Sequence, residues 1–235
     1  MNFTTFLTES AIILTSEMKE FSENALDKLE DLCYRYVTFP LFQREVSGKV
    51  IFQEVLYSKY GNYDIKVRIK TPEKTTTEAV ADVKNKEIII YIDFENYKHF
   101  KKKKSELLKV INHEFIHLVD PKFNKEELLT KNLDKIKKFN LEIRDLYKNG
   151  NPEQIDDKIN QYVKFPWELD AYISTEADGV YEEIKKKSRS KKDALYYLKN
   201  IKPTTPNQKV YMKNDKLWKR FILHINKLIE RDFRE

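Results

Sequence analysis

Between Lys101 and Pro121 the apolar residues Leu107, Leu108, Ile111, Phe115, Leu118 and Val119 recur at three- and four-residue intervals and make one broad stripe. The segment is expected to be a substantially buried helix, opened by the lysine run 101–104 and stopped by Pro121. It is not wholly apolar, and that constrains the fold most. His113, Glu114 and His117 lie in the same stretch, and burying a polar group without a partner costs about 1–3 kcal/mol each. Either a satisfied polar stripe or a bound metal ion must organise them. Residues four apart on a helix stand above one another, so the imidazoles of His113 and His117 can converge on one ion while Glu114 points to the neighbouring face of the same cleft. Two of the chain's 4 histidines fall in this H-E-x-x-H pattern, the arrangement of a zinc hydrolase site. Zinc is the expected metal, although Mn, Co or Fe fit the same donors.

The rest of the composition says what kind of body carries this helix. The chain has 235 residues, enough for one domain or a core with helical additions, and its 14 Tyr and 14 Phe supply core material that a disordered chain lacks. Only 4 Gly and 7 Pro occur, which disfavours a loop-heavy β-sandwich and points to a mostly helical protein. The single cysteine, Cys33, forms no internal disulfide and is expected to be a buried structural thiol. No stretch reaches the ~18 apolar residues of a membrane span. The short apolar run 11–14 has acidic flanks, unlike a signal peptide. The cytoplasm, with no membrane partner, is therefore the expectation.

Residues 16–37 carry Met18, Phe21, Ala25, Leu26, Leu29, Leu32, Cys33 and Tyr36 at helical spacing. Residues 41–60 are ambiguous between helix and strand, after which Gly61-Asn62 punctuates and Tyr63, Ile65, Val67 and Ile69 alternate as a half-buried strand. A polar loop over 71–77 leads to a second strand, 87–94, with the core Ile88-Ile89-Ile90-Tyr91-Ile92. Helices are expected over 126–148, ended by Asn149-Gly150-Asn151-Pro152, and from Pro166 onward. Beyond Gly179 the chain is basic and helical in two pieces, separated by 202–206, with Trp218, Phe221, Ile222, Ile225, Leu228 and Ile229 on one stripe.

With its H-E-x-x-H motif, the sequence resembles the zincin metallopeptidases. The metzincin branch places a glycine three residues, and a third histidine six residues, beyond the second histidine; here those positions hold Asp120 and Phe123. The gluzincin branch, thermolysin and its distant relatives, takes its third ligand from a glutamate on a later helix, and the stretch Pro166-Trp167-Glu168-Leu169-Asp170-Ala171-Tyr172 offers one. A glutamate followed by an acidic-Ala pair is similar to the pattern of phage-encoded metallopeptidase-like proteins, although thermolysin's Asn-Glu-x-x-Ser-Asp is absent. The resemblance covers roughly residues 86–175 and implies an α+β, predominantly helical fold. That fold has a zincin-like core over 61–178, with a small sheet and an active-site helix. An N-terminal helical region (1–60) and a basic helical C-terminal region (179–235) complete it.

The resemblance implies His113, His117 and Glu168 as zinc ligands and Glu114 as general base. Glu168 and Asp170, two apart, point about 200° apart on a helix, so only one can face a metal; Glu168 has the longer reach, and Asp170 is the alternative. Asp120 is either a hydrogen-bond acceptor behind a ligand imidazole or a polar helix end. Tyr172, Tyr181 and His224 are candidate oxyanion stabilisers, while His99 reads as an ordinary surface histidine. The strand 87–94 stands where zincins keep an edge strand that pairs with extended substrate.

The expected activity is zinc-dependent hydrolysis of peptide bonds in a protein or peptide substrate. Two other classes compete. A net charge of +6 and lysine clusters at 101–104, 185–187 and 191–192 would suit nucleic acid, but they are interleaved with 38 acids, as on a solvated helix face. A metal-stabilised interaction protein without turnover has no need of Glu114, since structural zinc sites close their fourth position with Cys or His.

Overall fold

In the computed structural model, which describes residues 13–58, 61–72, 78–120 and 166–233 with isolated positions between 135 and 161, Thr15 caps the first helix. Its hydroxyl accepts the Met18 N–H at 3.3 Å, and helix α1 runs over Ser16–Arg35. The described elements make an α+β fold, mostly helical, with one four-stranded mixed sheet. They fall into two compact units, one within Leu14–Trp167 and one within Glu168–Glu235 together with Ile13. Among the described residues no helix is long and apolar enough to cross a membrane.

In the first unit the ambiguous stretch 41–60 resolves into helix α2 (Phe39–Val46), with Pro40 in its first turn, and strand β1 (Val50–Ser58). Gly48, at φ 83°, makes the bend between them. Strand β2 (Gly61–Lys70) returns antiparallel to β1, and Ile65, Val67 and Ile69 are fully buried on one face, as the alternation predicts. Strand β3 (Ala79–Asp82) and strand β4 (Glu87–Tyr91) form a tight hairpin, closed by the Asp82 carboxylate accepting the Asn85 N–H at 3.1 Å. The sheet order is β1-β2-β4-β3, and β2 and β4 run parallel.

This order corrects one expectation. The Ile-rich strand β4 is interior, paired on both sides; β3, too short and weakly patterned to be read from the sequence, forms the edge. Arg68 grips Glu87 across β2 and β4 with two hydrogen bonds of 2.9 and 2.8 Å, and this contact holds the Glu87 carboxyl below its ordinary value. The strand also ends earlier than expected, because Asp93 caps a short helix α3 (Phe94–Lys98) by accepting the Asn96 N–H at 2.7 Å.

Helix α4 (Phe100–Val119) packs on β3, β4 and α1. Phe21 of α1 is fully buried, edge-on to Phe115 of α4 (ring centroids 5.3 Å) and to Phe52 of β1 (5.1 Å). At the rim, Lys104 of α4 reaches Asp27 (2.6 Å) and Glu30 (2.5 Å) of α1. Helix expectations for 126–148 and the punctuation at 149–152 lie outside the described residues, apart from isolated positions.

The second unit is helical: α5 (Pro166–Lys187), α6 (Lys191–Lys199), α7 (Pro206–Met212) and α8 (Asp215–Asp232). α5 runs through Gly179, where a Cβ would meet nothing, to Lys187; the breaks beyond it lie at 188–190, 200–205 and 213–214, the second of them where the sequence places one, so the described residues beyond Gly179 make the end of α5 and three further helices rather than two pieces. The stripe of α8 packs as its periodicity requires, with Phe221, Ile225, Leu228 and Ile229 fully buried beside Tyr181, Ala194 and Tyr211.

Candidate metal centre

The fourth and fifth turns of α4 bring the two histidines together. His117 is buried and His113 half-buried; their Nε2 atoms lie 3.2 Å apart, with the rings nearly perpendicular at 86°. Tetrahedral zinc with Zn–N bonds near 2.05 Å separates two ligand nitrogens by about 3.3 Å. The pair therefore has the spacing that a shared zinc ion requires, set by the four-residue helical repeat.

Glu114, one residue on, turns to the sheet. Its Oε2 accepts the backbone N–H of Ala81 at 2.7 Å. The register explains why that N–H is available. The Tyr91 N–H bonds the Glu78 carbonyl (2.8 Å), so Val80 and Ile89 are the next ladder pair and the Ala81 N–H points off the open edge of β3. The carboxylate between the two histidines thus stands at a sheet edge. Neither Ala81 nor its strand carries a signal in the sequence; the nearest is Asp82 with Asn85, an Asx-type turn.

The remaining site residues separate by role. Asp120 is the C-cap of α4, buried, its N–H bonded to the Ile116 carbonyl at 2.9 Å. Its charge, after burial, raises the Tyr63 phenol. In the second unit Glu168 is a buried acid in the first turn of α5. Asp170 is turned to Arg220 of α8 in a buried ion pair. That partner lies fifty residues away in the chain and had no sequence signal. Glu176, two turns on, accepts from Thr205 Oγ1 and Asn207 Nδ2 (both 2.9 Å) and anchors the start of α7.

Among the oxyanion candidates, Tyr172 is half-buried on α5 and contributes to raising the Tyr211 phenol, after burial and Glu176. The Tyr181 hydroxyl donates to Asp232 Oδ2 at 2.6 Å, and its phenol is pushed well above the ordinary value by burial and by this bond. His224 is buried on α8. His99 joins α3 to α4 and lies 3.6 Å from Glu95. Cys33 is half-buried rather than buried; its thiol is pushed up to about 12 by burial and by Glu30. The chain matches no protein-family model, no curated protein and no solved structure.

Proposed function

We propose that this chain is a zinc-dependent peptidase with a zincin-like core, in which His113, His117 and Glu168 hold the metal and Glu114 is the general base. The observation that carries the reading is the pair of histidine nitrogens at 3.2 Å with a glutamate between them bonded to the edge strand β3. His113, His117 and Glu168 are, by residue type and burial, suited to a metal ion. Asp170, the competing carboxylate, has Arg220 as its partner, which favours Glu168 for the metal.

Zinc in such a ligand set supplies Lewis-acid chemistry, acidifying water and polarising a peptide carbonyl. The chain's own residues do the rest. Glu114 is held by Ala81 through Oε2, and its carboxylate takes the proton of the attacking water and passes it to the leaving nitrogen. The outward edge of β3, apart from the Ala81 N–H that Glu114 takes, is the edge that would receive an extended peptide, the role expected from the sequence for the strand at 87–94.

The test is hydrolysis of a fluorescein-labelled unfolded casein by the zinc-loaded chain and by Glu114→Gln. Cleavage by the parent, lost in the variant with zinc retained, supports the reading. No cleavage of casein or of a mixed peptide library by the zinc-loaded chain overturns it.

A further inference from the structure

On the first unit a cavity of about 630 Å³ opens between the end of α1, the start of α2 and the α3–α4 junction. Its walls are aromatic and aliphatic. Phe39 packs edge-on to Phe94 (6.0 Å, 82°) and lies 5.7 Å from Tyr97, whose hydroxyl donates to the Cys33 carbonyl at 3.2 Å. Three of the apolar side chains project into solvent: Val37 is 84% exposed, Tyr34 59% and Phe94 53%. Apolar surface concentrated around an open cavity marks an interaction site.

The rim on one side is basic. Lys98, Lys101 and Lys102 are exposed and, among the described residues, pair with no carboxylate; Lys101 rests over the Tyr34 ring, 5.1 Å from its centroid. Lys104, one turn on, is by contrast satisfied by Asp27 and Glu30. The one acid lining the cavity, Glu30, is taken by Lys104, so an apolar cavity flanked by three ammonium groups with no carboxylate partner among the described residues is complementary to a ligand with a bulky apolar part and several adjacent negative charges.

We propose that this cavity is a docking site for an acidic peptide segment that inserts a Phe or Leu side chain between Tyr34, Phe39 and Phe94 and lays flanking carboxylates along Lys98, Lys101 and Lys102. A single small carboxylate would use one of three charges spread along the α3–α4 junction, whereas a peptide uses all of them and covers the exposed rim. Single-stranded nucleic acid is less well served by the rings: Phe39 and Phe94 meet edge to face and Lys101 covers one face of Tyr34, so the exposed rings do not line up as a continuous stacking platform. The site uses no residue of the metal centre and stands whether or not the chain is a peptidase.

The probe is a fluorescein-labelled acetyl-Asp-Glu-Leu-Phe-Asp-Glu peptide, titrated with the full chain by fluorescence anisotropy. Saturable binding is expected, weakened at least about tenfold by Lys101→Glu/Lys102→Glu and by Phe94→Ala, kept by Lys101→Arg/Lys102→Arg, and unchanged in Glu114→Gln. All these rim positions are exposed, and circular dichroism checks that the variants fold. Absence of peptide binding, binding indifferent to the lysine reversal, or displacement of the peptide by a twelve-residue oligo-dT would overturn the proposal, the last in favour of nucleic acid.

Discussion

Glu114 has two duties that substitution separates: it accepts the outward N–H of β3, and it is the proposed base. A hydrogen bond to a charged acceptor contributes about 1.5–3 kcal/mol and to a neutral one about 0.5–1.5. Since Glu114 is half-buried, the lower half of each range applies. Glu114→Gln keeps an oxygen that can accept from Ala81 and should cost about 1 kcal/mol of stability. Glu114→Ala removes the acceptor and should cost about 2. Activity should respond quite differently. Loss of a general base costs about 10²–10⁴ in kcat, equivalent to about 3–5 kcal/mol of barrier, so the Gln variant should be nearly native in stability and nearly inactive. The assay pairs urea unfolding followed by circular dichroism with initial rates on labelled casein at matched zinc content. A zinc-loaded Gln variant within about tenfold of the parent rate would refute the role of Glu114, and Ala and Gln variants of equal stability would refute the Ala81 contact.

Three further outcomes follow from the packing. Arg220→Met strands the buried Asp170 carboxylate and should cost about 3–5 kcal/mol in urea unfolding, while Asp170→Leu/Arg220→Met should recover most of that loss; equal losses would show the pair is not coupled. Glu87 has its folded pKa lowered by Arg68, so its contribution to stability is present above the ordinary glutamate value of about 4.3 and is lost as the pH falls through the folded value. Glu87→Gln should therefore flatten the fall in stability between pH 6 and 3, and an unchanged slope would contradict the pairing. With its thiol pushed up to about 12, Cys33 should react with a disulfide reagent at pH 8 about a thousandfold more slowly than in the urea-unfolded chain; similar rates would contradict the raised thiol.

What the sequence made legible is the part governed by local periodicity. The stripes at 16–37 and 101–121 became α1 and α4 within two residues at each end, and the alternation at 63–69 became β2. The face shared by His113 and His117 follows from helical repeat alone. The rest depends on pairing between distant segments. Val80 and Ala81 form a strand because β4 offers them an edge, which no four-residue window reveals. For the same reason the Ile-rich β4 is interior, although the sequence suggests an edge. The stretch 41–60 mixes both periods because it holds two elements joined at Gly48. α5 passes through Gly179 because one glycine costs a long helix only about 1 kcal/mol. Asp170 and Arg220, fifty residues apart, meet through tertiary packing of α5 and α8.

The most direct test of the central claim is the metal content of the chain purified without chelator, by elemental mass spectrometry. About one zinc per chain, lost in His113→Ala and in His117→Ala, is the predicted result. No bound metal, and none taken up on dialysis against zinc, would mean that the two histidines are a structural pair and that the peptidase reading is wrong.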